Sequence, residues 1–194
     1  MSLTWEESVA SGVYIVKRLV SLMPKGVSSY TKSYNVLFIC MENSARSIMA
    51  EVILNRLGAG RFKAYSAGSH PVGAVHPLTK KVLTSLGYET TGLYSKGVGE
   101  FAGANAPSMN FIFTVCDRAA GEVCPAWPGQ PITAHWGFPD PAAVGGTSDE
   151  QLKAFTNTAH QIANRIRLFT NLPLDKLAPL SLQATLAEMG SGKR

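Results

Sequence analysis

A chain of 194 residues, 45% hydrophobic and 16% charged, has room for one domain with a proper core and would be cramped by a second. The even mixture of residue types excludes a disordered or fibrous protein. Eighteen Lys and Arg against 13 Asp and Glu leave a net charge of +5, which suits anionic ligands, but no basic run suggests nucleic acid.

Residues 1–33 read as an N-terminal helical extension, with a helix over 5–22 ended by Pro24, Lys25 and Gly26. Its apolar stretches GVYIV and LVSLM flank Lys17 and Arg18, so the segment is too short and too charged to span a membrane. Glu6 and Glu7 stand where a secretory signal would carry basic residues. A cytoplasmic location is therefore expected. The three cysteines, an odd number, fit free thiols in a reducing compartment better than a disulfide framework.

Residues 34–194 form the main domain. NVLFIC at 35–40 is the continuous apolar run of a central strand buried on both faces. A helix is predicted over 47–57, with Met49, Ile53 and Leu57 on one stripe, and a second strand over 62–67 closed by Gly68 and the loop SHPVGAVHP. A helix over 78–86 and strands over 110–115 and 132–136 follow. Leu152, Phe155, Ala159, Ile162 and Ile166 mark a long helix over 149–168, and a last helix covers 180–189. The alternation predicts an α/β fold: a four-stranded parallel sheet with helices on both faces and ligands at the carboxyl ends of its strands.

The first strand ends in Cys-x5-Arg, Cys40 through Arg46, with Ser47 opening the helix. Main-chain N–H groups of Met41, Glu42, Asn43, Ser44 and Ala45, together with those of Arg46 and Ser47, can converge with the positive helix end on a tetrahedral anion. Arg46 adds a planar fork. The same field should ionise Cys40 near neutral pH, and Ser47 can donate to its sulfur. Asn43 suits a left-handed backbone position. A bare Cys-x5-Arg is common by chance; the strand before it and the helix after it raise its value.

In that setting NVLFICMENSARSIMAE resembles the signature of low-molecular-weight tyrosine phosphatases and of the arsenate reductases that share their fold. SAGSHP, FTVCDRAAGEVCPAWPG and HWGFPDPA follow in the order of the reductase branch, so the resemblance spans roughly 35–168. It departs at Glu42, where glycine is usual, and at Ala45, where cysteine is frequent. Glu42 is expected to face solvent. If it turned inward, anion affinity would fall.

Asp140, set by Pro141 in an extended conformation, matches the family's general acid; outside the resemblance, Asp-Pro is a plain turn. Cys116 and Cys124, read from residue type alone, are equally two structural thiols or half a metal site, and His135 makes a poor completion for zinc. No metal is expected. The resemblance implies instead that Cys40 attacks arsenate, Cys116 attacks the Cys40 sulfur and releases arsenite, and Cys124 displaces Cys40.

No bound cofactor is implied. The reductant is an external thiol, thioredoxin or glutaredoxin with glutathione. A helical segment from Cys116 to Cys124 would separate its ends by about 12 Å, beyond disulfide reach, so it must loop or unwind, and Gly121 and Pro125 favour that. The alternatives are a phosphatase for phosphotyrosine or small phosphomonoesters, and a non-catalytic oxyanion-binding or thiol-sensing module. Ala142 and Ala143, where the phosphatases carry aromatic residues, favour a small oxyanion. His70 and His76 border the site without a role, and Arg61, Lys63 and Lys96 read as surface charges.

Overall fold

NVLFIC becomes the central strand because each of its side chains finds apolar cover on one face or the other. The computed structural model describes residues 32–103, 105–116 and 127–191; the expected extension, apart from Lys32 and Ser33, lies outside them. Strand β1 (Tyr34–Cys40) is buried at all positions but Asn35. It pairs in parallel with β2 (Phe62–Gly68) on one side and β3 (Phe111–Thr114) on the other, and β4 (Ile132–His135) pairs in parallel with β3. The order is β2-β1-β3-β4. Successive connections therefore leave β1 in opposite directions, which opens a crevice at the carboxyl ends of β1 and β3. The register aligns those ends, with Cys40 opposite Gly68 and Ile39 opposite Thr114.

The predicted helices appear as α1 (Arg46–Leu57), α2 (Pro77–Ser85), α3 (Ser148–Thr170) and α4 (Pro179–Ser191). Helix α1 packs on β1, β2 and α3, while α4 packs on β4. One sheet face closes around Phe169 of α3, whose ring lies 5.0 Å from Phe62, 5.3 Å from both Phe111 and Phe113, and 5.7 Å from Trp136. Elsewhere Tyr65 of β2 meets Phe101 edge-on at 5.6 Å, at the end of the 3-10 turn Val98–Phe101. Strands β3 and β4 are shorter than their apolar runs. Just before β3, Asn110 still bonds both neighbours, its N–H donating to Asn35 C=O at 2.9 Å and its C=O accepting from Ile132 N–H at 3.0 Å, while its side chain accepts from the Asn35 N–H at 2.8 Å. Among the described residues no helix is long and apolar enough to cross a membrane.

Candidate active site

Residues 41–45 wrap the carboxyl end of β1, with the carbonyls of Cys40, Met41, Glu42 and Ser44 bonded on the outer side. Cys40 C=O accepts from Ser69 N–H at 3.1 Å and Met41 C=O from His70 N–H at 2.8 Å. Glu42 C=O accepts from Val72 N–H at 3.2 Å and Ser95 Oγ at 3.0 Å. Ser44 C=O accepts from His76 N–H at 2.9 Å and Thr79 Oγ1 at 3.0 Å. A trans peptide points its N–H opposite its C=O, so the N–H groups of Met41, Glu42, Asn43 and Ala45 turn to the inner side. The segment SHPVGAVHP is thus the outer brace of the loop, and His70 and His76 serve it through their backbones. The His76 side chain caps α2, accepting from Leu78 N–H at 3.2 Å. Close approach demands Gly68, where an added Cβ would lie 2.6 Å from Met41 O and 3.0 Å from Asn43 N.

Asn43 takes the left-handed conformation its residue type suggests, with φ +50°. Glu42 does not, so a side chain where the family has glycine costs no backbone strain. It is exposed and lines the cavity, with Ser44 Oγ 3.4 Å from Oε2. Helix α1 then opens at Ala45 with no side-chain cap and no acidic residue in its first turn. Its free N–H groups and dipole are left to the site.

Behind the loop runs a buried polar chain. The Asn43 side-chain amide donates to Ser47 Oγ at 2.9 Å and Ser66 Oγ at 2.8 Å, and its oxygen accepts from Lys96 N–H at 2.8 Å. Ser66 donates to Glu51 Oε2, which also receives Lys96 Nζ at 3.0 Å. Ser47 Oγ lies 2.9 Å from Cys40 Sγ, in place to donate its proton to the sulfur when that is a thiolate. The Asn43 N–H reaches the same sulfur at 3.2 Å.

Lys96 is therefore not the surface charge its loop position suggested: it is 6% exposed, buried because Glu51 offers a partner inside. Arg61 is likewise half-buried, its guanidinium donating to the carbonyls of Thr170 and Leu172. Glu51 and Ser66 lie within the stretches that carry the resemblance but were given no role there, Lys96 read as a surface charge, and only the inward parity of Ser66 in β2 hinted at more.

The sulfur itself corrects another expectation. Cys40 is 3% exposed, and burial pushes its thiol up more strongly than the hydrogen bonds from Ser47 and Asn43 pull it down. A neighbouring Cys116 adds a smaller upward push, which puts the two thiols within electrostatic reach.

Opposite the loop, residues 136–143 carry Asp140. Its backbone is extended before Pro141, and Oδ1 accepts from Ala142 N–H at 3.1 Å. Oδ2 pairs with Arg46 Nη2 at 2.8 Å, while Arg46 Nη1 donates to Phe138 C=O at 3.2 Å. From α3, Arg165 stacks 4.5 Å over the Phe138 ring and reaches Gly137 C=O at 3.4 Å. A cavity of about 430 Å³ lies between the two walls, lined by Met41, Glu42, Arg46, Cys116, Phe138 and Asp140 among others. Cys124, and the expected loop between it and Cys116 with Gly121 and Pro125, lie outside the described residues. His135 is held across the sheet, Nδ1 lying 2.9 Å from Thr114 Oγ1.

The arrangement can grip a tetrahedral anion with inward N–H groups and a guanidinium, next to two thiols and a carboxyl. Comparison with known proteins agrees. Residues 35–178 match the family model for low molecular weight phosphotyrosine protein phosphatase. A protein of Halalkalibacterium halodurans named arsenate reductase is 33% identical over 134 residues, 69% of this chain and 93% of that one. A Synechocystis protein named glutaredoxin arsenate reductase is 28% identical over 68% of this chain and 92% of its own length. The crystal structure of arsenate reductase from Archaeoglobus fulgidus superposes with a TM-score of 0.56 at 26% identity, covering 71% of this chain and 99% of that one. The chain belongs to the family of low molecular weight phosphotyrosine protein phosphatases and of the proteins named arsenate reductase that share its fold.

Proposed function

We propose that this protein reduces arsenate to arsenite with Cys40 as nucleophile. The observation that carries the reading is Cys116, a second buried thiol that lines the anion cavity beside Arg46 and Asp140. Ester hydrolysis has no use for it. Arsenate would be held by the inward N–H groups and the Arg46 fork, displacing Asp140 from that guanidinium. Cys40 forms the S–As bond, and the thiol proton leaves with an arsenate oxygen as water, passed by Asp140.

Cys116 then attacks Cys40 Sγ. The S–S bond forms, the As–S bond breaks, and its electron pair leaves on arsenic as arsenite. Cys124 displaces Cys40, and an external thiol returns the Cys116–Cys124 disulfide to dithiol. The name of the Synechocystis relative supports an external thiol reductant of the glutaredoxin type, thioredoxin being the alternative, and such a cycle belongs in a reducing cytoplasm.

A second reading, phosphatase, draws on the cavity volume, which exceeds what one inorganic oxyanion fills. Arsenite formation with thioredoxin or glutaredoxin systems supplied, in the wild type and in Cys40→Ser, Cys116→Ser and Cys124→Ser, separates the two. Loss in all three supports the relay. Loss in Cys40→Ser alone, or aryl phosphate hydrolysis without arsenite, supports the phosphatase.

A further inference from the structure

Helix α4 begins at Pro179, just past the last residue of the family match, yet it touches the strand that leads into the Asp140 segment. The N–H groups of Ile132 and Trp136 bond across to β3, so the carbonyls of Thr133 and His135 face the outer edge of the sheet. Helix α4 covers that edge. Gln183 Nε2 donates to Thr133 C=O, and Gly190 sits so close to His135 that an added Cβ would fall 1.8 Å from its carbonyl oxygen and 3.2 Å from Trp136 Cδ1.

Trp136 makes the connection specific. Its indole N–H donates to Leu186 C=O of α4 at 3.0 Å, and its ring, 1% exposed, stacks on Phe113 at 3.9 Å. Four residues later comes Asp140. A buried indole has one donor, and here the C-terminal helix accepts it. The backbone entering the Asp140 segment is thus clamped between the sheet and α4, while Arg165 and Arg46 hold the stretch beyond.

We propose that α4 is the support that sets the position of Asp140, with Trp136 and Gly190 as positioning residues. The claim rests on the reading of Asp140 as proton donor for the Cys40 reaction. Chemistry that needs a carboxyl within hydrogen-bond reach of a leaving oxygen is sensitive to shifts of about 1 Å, and a displaced α4 acts through this limb only. The N–H cradle of residues 41–45 is braced from elsewhere and should not notice.

The test uses the full chain with Trp136→Phe, which removes the indole donor together with part of a buried ring, and Gly190→Ala, which forces the helix off His135. Each is measured alone and combined with Asp140→Asn. Turnover of arsenate, or of an aryl phosphate if that is the working substrate, is expected to lose about tenfold in kcat in either variant. KM, and the phosphate concentration that protects Cys40 from alkylation, should stay unchanged. In the Asp140→Asn background neither substitution should cost anything further.

The second readout needs no activity. The amide resonances of Gly137, Phe138 and Asp140 should shift in both variants, and those of Met41 to Ala45 should not. Unshifted Asp140 resonances, unchanged kcat, or losses that add to that of Asp140→Asn would overturn the positioning role. If Asp140→Asn itself leaves turnover intact, the proton-donor reading fails instead, and the resonances alone decide whether α4 places the segment.

Discussion

Helices α1 and α3 face the same problem at their N-termini and solve it in opposite ways. Each exposes four backbone N–H groups and the positive end of a dipole. At α3 the chain satisfies them itself: Thr147 Oγ1 accepts from Glu150 N–H at 3.3 Å, the Glu150 carboxylate accepts from Thr147 N–H at 2.8 Å, and Asp149 adds charge in the first turn. At α1 the cap residue is Ala45, which offers no side-chain bond, and the loop before it is held from its outer side and through the Asn43 side chain. A sealed terminus stabilises the fold. An open one costs stability locally and holds the field in reserve for an anion, which requires that something else keep the loop in shape. Here that is the Asn43–Ser66–Glu51–Lys96 chain.

The largest expected effect comes from attacking that support. Lys96→Met leaves the Glu51 carboxylate buried without its cation, and breaking such a pair typically costs about 3–5 kcal/mol. Thermal unfolding should show the loss, with weaker phosphate binding in what remains folded. Unchanged stability would mean that the open terminus needs no brace.

Next in size, Arg46→Ala removes two charge-assisted bonds to a bound oxyanion, about 3 kcal/mol or roughly 100-fold in phosphate affinity by calorimetry. An equal affinity would shift the credit to the N–H groups alone.

The thiol tests the field itself. Burial pushes the Cys40 thiol up, so at neutral pH a smaller fraction of thiolate is expected than for a free cysteine. Alkylation should therefore be slower than for a free cysteine and keep rising with pH beyond where a free cysteine levels off. Ser47→Ala removes a bond that lowers the thiol, so alkylation at neutral pH should slow further. A rate already flat near neutrality would show that the open terminus overcomes burial.

A smaller effect is expected at Glu42, exposed on the cavity lining. Glu42→Gln should tighten phosphate binding by roughly two- to fivefold at low salt, and the gain should shrink as salt screens it.

Smallest is the control at the sealed end. Thr147→Ala removes the capping box and should lower Tm by about 2–4 °C, with phosphate affinity untouched.

Much of this was legible in the residues. The buried run at 35–40, the heptad-like stripe of α3 and the Cys-x5-Arg spacing each follow from local periodicity, and the elements appear within one or two residues of where that periodicity puts them. Asn43 was readable as a left-handed residue because few side chains tolerate that backbone. Lys96 and Arg61 were not readable, since nothing in a loop sequence tells a solvated cation from one that folds back onto an interior carboxylate or a row of carbonyls.

The chain by itself determined which chemistry was available: one thiol at the end of a buried strand, an arginine at the start of a helix, an Asp-Pro later on. Those are short-range facts, set by the order of residues and the geometry of a strand-loop-helix turn. Only the tertiary structure decided the state of that chemistry. Whether Cys40 is a thiol or a thiolate depends on how much water the surrounding core removes, and which groups hold Asn43 and Asp140 depends on segments 23 to 94 residues away. Burial and long-range contact are sums over the whole fold, and no local pattern contains them.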